Sequence, residues 1–146
     1  MFAAGLTLKH ENLEAFREKF ESIVSSTIEE RYLTPEIEIS AELHPKDITP
    51  RFFSILQQFA PFGPQNMKPV FVTHGVTDSG WSRVVGDDHL KLSVVKDGVT
   101  LQGVGFGFGS HITKVKSGKP FDICYTLEEN EWNGRKRVEM LVRDLK

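Results

Sequence analysis

His89-Leu-Lys-Leu-Ser-Val-Val-Lys96, followed by Asp97-Gly98 and then Val99-Thr-Leu-Gln-Gly103, decides the fold. His89, Lys91 and Ser93 alternate with Leu90, Leu92 and Val94, the period-two pattern of a strand with one buried face. Asp97-Gly98 reads as a two-residue turn between that run and the next. Residues 89–106 therefore read as a hairpin. The same texture extends outward on both sides. Phe121, Ile123, Tyr125 and Leu127 alternate with Asp122, Cys124, Thr126 and Glu128, and Asn133-Gly134 is a second hairpin signal before the alternating Val138, Met140 and Val142. Upstream, Pro69 leads Val70, Phe71 and Val72.

Five or six strands thus fall between residue 69 and the end, with one irregular stretch at 107–119. Closing such a set into a small barrel removes exposed strand edges. The strand number suits a five-stranded OB-type barrel. Ahead of it the texture changes. Residues 5–9 read as a short strand. Asn12 is a good N-cap for a helix over roughly 13–29, in which Leu13, Phe16, Phe20, Ile23, Val24 and Ile28 share one face. One strand and one helix cannot form a core. Residues 1–33 are therefore expected to be the tail of a larger domain; the alternative is that the helix packs on the rest of the chain. Thr34-Pro35 marks a break. Ile37 and Ile39 then alternate with Glu36, Glu38 and Ser40 as a half-buried strand. Thr49-Pro50 opens a second helix bearing Phe52, Phe53, Leu56 and Phe59. Residues 60–69 carry three prolines and a glycine, a rigid loop. The fold class is thus α+β: an OB-type small β-barrel (69–146) behind a strand–helix lead (34–68) and an α/β remnant (1–33).

With 146 residues, 39% hydrophobic and 26% charged, the composition is that of a folded globular chain. A single cysteine excludes an internal disulfide framework and a Cys-pair zinc site. No apolar run approaches a membrane span, and the first residues lack the basic region and cleavage site of a signal peptide. A cytoplasmic location without membrane association is the expectation. Charge is uneven. Residues 1–66 hold 6 Lys/Arg against 10 Asp/Glu, and residues 67–146 hold 12 against 10. Net charge alone argues against strong non-specific nucleic-acid binding, but a local basic patch remains compatible with a polyanion.

No catalytic constellation emerges. Gly103, Gly105, Gly107 and Gly109 alternate with Val104, Phe106 and Phe108, which is neither a dinucleotide fingerprint nor a P-loop. The favoured reading is a strand stripped of side chains where backbone approaches closely at a barrel corner. No two of the five histidines stand four apart, and none neighbours a cysteine. Asp87-Asp88-His89 reads as a polar turn, and Cys124 has no histidine near it in sequence. The remaining signal is basic and aromatic. Lys114, Lys116 and Lys119 cluster in the irregular stretch; Arg135, Lys136 and Arg137 follow the Asn133-Gly134 turn. Arg83 and Lys91 add charge upstream. Trp81, Phe106, Phe108 and Trp132 are available for stacking. Cations neutralise phosphates and aromatic faces stack bases, the two requirements of single-strand binding. Trp81 and Trp132 are the better stacking candidates, since Phe106 and Phe108 also suit a barrel core. Glu128, Glu129 and Glu131 either repel phosphate or pair with residues 135–137 across the hairpin.

Five blocks together carry a resemblance. Ala3-Ala-Gly5 and the helix Glu11-Asn-Leu-Glu-Ala-Phe-Arg-Glu-Lys-Phe20 resemble the end of a DHHA1 domain, whose Gly-Gly-His-x-x-Ala-Ala-Gly motif is matched only in its last three positions. Gln58-Phe-Ala-Pro-Phe-Gly-Pro-Gln-Asn66 resembles a Pro-Phe-Gly-x-x-Asn segment that leads into an OB domain. Leu127-Glu-Glu-Asn-Glu-Trp-Asn-Gly134 resembles a signature within that domain, as do Asp88-His-Leu-Lys-Leu92 and Phe121-Asp-Ile123. The combination is similar to the RecJ family of single-stranded-DNA-specific 5′-to-3′ exonucleases. That resemblance implies a parent that is a Mn²⁺- or Mg²⁺-dependent phosphodiesterase, with its metal ligands in a DHH domain that these residues do not include. It makes residues 1–33 the DHHA1 remnant. The expectation for this chain is a part with no catalytic residue, no metal and no activity alone. Its role would be to bind and position single-stranded DNA through Trp81, Arg83, Lys91, Lys114, Lys116, Lys119, Trp132, Arg135, Lys136 and Arg137. The alternative is a docking module for other DNA repair or recombination proteins. Helix 13–29 is expected to find cover on the barrel or on a second copy.

Overall fold

The structure, a computed structural model, describes residues 5–146, and of these the side chains of all but Arg31, Trp132 and Arg135. The chain divides into two compact units, Met1–Glu36 and Ile37–Lys146.

The first unit is built on α1 (Leu13–Thr27). A 3₁₀ turn at His10–Asn12 feeds directly into it. That turn takes up Asn12, whose side chain consequently makes no capping bond to the helix it precedes. Thr27 Oγ1 donates to the Ile23 carbonyl at the other end. Phe16 and Phe20, one turn apart, stack with ring centroids 5.7 Å apart. The amphipathic face is exposed, with Phe20 and Ile23 more than half accessible. Residues 5–9 form no strand, contrary to the sequence expectation. A strand needs a neighbour to complete its ladder, and this unit has no other strand among its described residues.

The second unit contains β1 (Ala41–Glu42), α2 (Pro50–Gln57), β2 (Phe71–Asp78), β3 (Arg83–Val85), β4 (His89–Lys96), β5 (Val99–Phe106), α3 (Ile112–Val115), β6 (Phe121–Trp132) and β7 (Arg135–Leu145). The half-buried strand expected at Ile37 and Ile39 does not form. Both side chains are exposed, and extended pairing begins only at Ala41, parallel to Phe71. Thr49 caps α2 through its Oγ1, which accepts from the Phe52 N–H, and Pro50 occupies the first turn. Phe59 falls beyond the end of α2 and is exposed. The Pro-Phe-Gly-x-x-Asn loop is held by Asn66, whose Nδ2 donates to the carbonyls of Phe59 and Pro61 at 2.8 and 2.9 Å.

Both predicted hairpins form. β4 and β5 pair antiparallel in unbroken register from His89↔Phe106 to Lys96↔Val99, with Asp97 and Gly98 both at positive φ. β6 and β7 pair around Asn133-Gly134, also both at positive φ. Closure comes from β2. Its first part pairs with β6 and its last two residues, Thr77 and Asp78, pair with β4. The change of partner follows a register shift between Thr73 and Val76, at Gly75 with φ +65°, after one further pair with β6, Val76↔Phe121. Such a bulge bends the strand and raises its twist. Asp122 fixes it: Oδ1 accepts from the Gly75 N–H at 2.9 Å and Oδ2 from His74 Nδ1 at 2.7 Å. A parallel contact of β5 with β7 completes the ring β2–β4–β5–β7–β6.

Leu90, Leu92, Val94, Ile123, Tyr125 and Val76 fill the interior, each fully buried. Thr73 Oγ1 donates to the Leu43 carbonyl at 2.8 Å, so the Tyr125 hydroxyl 2.8 Å away donates to Thr73. Burial pushes that hydroxyl up to about 12. Gly103 and Gly105 are buried where β5 meets β7. A Cβ on Gly103 would run into the carbonyl oxygen and Cβ of Met140, so the close backbone approach read from the glycine run is a steric requirement. Inside the stretch 107–119, expected to be irregular, a 3₁₀ turn at Gly109–His111 and the one-turn α3 bury Val115 against the barrel.

Two outcomes follow. Gly103→Ala destabilises by about 1–3 kcal/mol, read from a urea midpoint, because rigid backbone stands in the way; Gly105→Ala, facing the Phe108 side chain at 3.0 Å, costs less. The hydrogen bond from His74, then that from Gly75, hold the Asp122 carboxyl below its ordinary value of 3.8. A carboxylate lowered in the folded state stabilises above its unfolded pKa and loses that contribution as pH falls through the folded one. Thermal midpoints from pH 7 down to strong acid will therefore fall less steeply below about pH 4 for Asp122→Asn than for the wild type.

Candidate nucleic-acid interface

Because Leu90, Leu92 and Val94 point inward, His89 and Lys91 point out. Cross-strand register extends this outer face over three strands. Arg83 lies opposite Lys91, which lies opposite Val104 on its other side; Val85, His89 and Phe106 form the next row. His89 meets Phe106 edge to face, with centroids 5.0 Å apart. Phe106 is 60% exposed. Sequence reading left this ring undecided between core and surface. Parity settles it, since Gly103 and Gly105 hold the inward positions of β5. Phe108, beyond the positive-φ Gly107, turns back and packs against the core.

Trp81 stands at the edge of this face, 75% exposed. Its loop is pinned from beneath. The buried Ser82 Oγ donates to the Ser93 carbonyl and accepts from the Ser93 N–H at 3.0 Å. Asp78 Oδ1 accepts from the Ser82 N–H, and Ser79 Oγ donates to Ser93 Oγ at 2.7 Å. An indole held out on a fixed loop loses little freedom when a flat ring stacks on it.

The basic residues divide into free and committed. Arg83, Lys91, Lys116, Lys119 and Arg137 are exposed and make no ion pair among the described residues. Lys114 Nζ donates to the Leu145 carbonyl, holding α3 to the end of β7. Lys136 Nζ donates to Glu129 at 2.7 Å across the hairpin, and that bond raises its pKa. Glu128 is claimed by Lys68 at 2.7 Å instead of by residues 135–137. The hairpin-tip acids and bases thus pair in part, and the free candidate cations sit on β3, β4, the α3 exit and, for Arg137, β7. Trp132 and Arg135 occupy the last and first positions of β6 and β7, but their side chains lie outside the described residues, as do Ala3 and Ala4. Gly5 is exposed, with open space around it.

Sequence reading missed the tie between His44 and Asp97. His44 Nε2 donates to Asp97 Oδ2 at 2.8 Å, joining the lead to the β4–β5 turn. The hydrogen bond lowers the Asp97 pKa. Fifty-three residues separate the pair, so no local pattern marks it. Burial pushes the Cys124 thiol up, away from reactivity. Among the described residues no group of three or more His, Cys, Asp or Glu converges, so they do not fit a metal centre. No helix among them is long and apolar enough to cross a membrane.

A five-stranded barrel closed by a parallel β5–β7 contact defines an OB fold. Proteins of that fold that bind oligonucleotides use the second and third barrel strands, the places held here by β4 and β5. A family model of the RecJ OB domain matches residues 39–144, and the chain belongs to that family. The single-stranded-DNA-specific exonuclease RecJ of Bacillus subtilis (strain 168) is 29% identical over 143 residues, covering 97% of this chain and 18% of that protein. RecJ of Escherichia coli (strain K12) is 25% identical over 145 residues, covering 98% and 25%. The crystal structure of RecJ in complex with Mn²⁺ from Thermus thermophilus superposes with a TM-score of 0.69 at 21% identity, covering 97% of this chain and 20% of that one. A second structure of that protein, in complex with Mg²⁺, gives 0.68 at 22% identity. The chain thus spans between 18% and 25% of the length of these relatives.

Ser82→Ala strands the buried Ser93 N–H, and an unsatisfied buried donor costs about 1–3 kcal/mol. The expected result is a lower urea midpoint with an unchanged slope, together with faster proteolysis of the loop that carries Trp81.

Proposed function

We propose that this chain is the C-terminal part of a RecJ-type exonuclease and that its barrel holds single-stranded DNA across the outer face of β3, β4 and β5. The carrying observation is the juxtaposition of Arg83 and Lys91, both unpaired, with the exposed rings of Trp81 and Phe106. Phosphates take the cations while bases stack on the rings. Lys114, Lys116 and Lys119 near α3, and Trp132 and Arg135 on the β6–β7 arm, extend the basic surface on this reading, whereas Lys136, held by Glu129, and Arg137, two residues from Glu139, stand apart from it. Residues 1–33 then belong to a DHHA1 domain, and the exposed face of α1 is the part that such a domain, or a second copy, covers. Cutting is assigned to a metal-dependent centre outside these residues, in keeping with the Mn²⁺ and Mg²⁺ of the Thermus structures. The chain alone is expected to position a strand without hydrolysing it, in a cytoplasmic DNA-repair setting.

Titration of tryptophan fluorescence with oligo-dT at low salt tests the reading. Quenching with an affinity that falls as salt rises is expected. Trp81→Ala weakens binding by about 1–3 kcal/mol, and Lys91→Glu lowers the salt slope by about 0.7 or more. Absence of binding at ~100 μM strand overturns the proposal.

A further inference from the structure

β5 runs for eight residues and β7 for eleven, yet they pair only at Gly103↔Met140 and Val104↔Leu141. Before that point the two strands splay. The opening is a cleft of about 710 Å³, with Thr100 and Gln102 on one wall, Lys136 and Val138 on another, and Phe53 and Ser54 of α2 across from them. Ladder parity tells which backbone groups face it. A two-residue turn makes its flanking pair exchange both hydrogen bonds, and the pattern alternates from there. Lys96–Val99 and Trp132–Arg135 are those pairs. Val99 and Leu101 therefore bond to β4, while Thr100 and Gln102 turn their amides toward the cleft. Likewise Arg137 and Glu139 bond to β6, while Lys136 and Val138 turn theirs toward β5. No backbone hydrogen bond from the lead reaches any of these four among the described residues.

We propose that this cleft docks an extended peptide segment of a protein partner, added as a strand on the free edge of β5 or β7. Two strand edges with unused donors and acceptors are the chemistry that recognises another backbone. Ile48, Phe53 and Leu101 offer an apolar floor for alternate side chains. Charge selects the occupant. Of the four charged residues in the lining, Lys136 is paired with Glu129, and Glu139 accepts from Asn130 at 3.0 Å. Arg137 alone lacks a partner among the described residues. One free cation, on the same face of β7 as Glu139, suits a peptide carrying a single acidic side chain and disfavours a run of phosphates.

Panning a phage-displayed random dodecapeptide library on the chain tests this. Enriched sequences are expected to alternate apolar residues and to carry one Asp or Glu. A synthetic peptide from that set will slow hydrogen exchange at the amides of Thr100, Gln102, Lys136 and Val138 in the unmutated chain. Ser54→Trp, which fills the cleft from exposed α2, and Thr100→Pro, which deletes a cleft-facing donor, will each weaken the peptide by about tenfold or more. Ser54→Trp leaves oligo-dT binding unchanged, which separates this surface from the outer face of β3 to β5. Failure to enrich any peptide over a Ser54→Trp counter-selection, unchanged exchange at the four amides, or protection of those amides by oligo-dT instead overturns the proposal.

Discussion

The barrel depends on one strand serving two neighbours. β2 leaves β6 and reaches β4 only because it bulges at His74-Gly75, and Asp122 on β6 grips the bulge from the strand that β2 is leaving. Without the bend, β4 would present an open edge and the sheet would stay flat enough to recruit other strands. The carboxylate thus converts a local irregularity into closure. Its two hydrogen bonds come from adjacent residues, one from the Gly75 backbone and one from the His74 ring, so it holds both halves of the bend.

Closure then dictates which side chains meet solvent. Gly103 and Gly105 must face inward, because Met140 and Phe108 leave no room for a Cβ. Strand parity puts Phe106 outside, against His89, and beside the row of Arg83 and Lys91. The candidate binding face is therefore a consequence of core packing on the opposite side of the same strands. A chain with a formal net charge of −2 still presents Arg83 and Lys91 there side by side, with Asp87 and Asp88 confined to the turn at the end of the two strands.

The same logic produces the cleft. Parallel β5 and β7 touch only where glycine permits contact, and they are unpaired where Leu101 and Val99 take the inward positions instead. The lead enters this gap from the other side. It is tied by His44 to the β4–β5 turn and by the Leu43 carbonyl to the Thr73–Tyr125 hydroxyl chain. Two surfaces of different character result: an aromatic and cationic face, and a cleft edged by backbone amides with nearly balanced charge.

Local chemistry was legible in the sequence because it acts over a few residues. Asp97-Gly98 and Asn133-Gly134 specified two hairpins through their tolerance of positive φ, Thr49-Pro50 specified the start of α2, and the spacing of Leu13, Phe16 and Phe20 specified α1. The family blocks were legible too, and Asn66 shows why one of them is so particular: its amide ties two carbonyls that a different side chain would leave open. Strands were overread at residues 5–9 and at Ile37 and Ile39, since alternation alone cannot provide the neighbour a ladder needs. Only the tertiary structure decided that Phe106 faces out and Phe108 in, that Lys136 is neutralised while Lys91 is free, and that β5 and β7 part to leave a cleft. Those outcomes rest on contacts between residues tens of positions apart, where distance along the chain carries no information about distance in space.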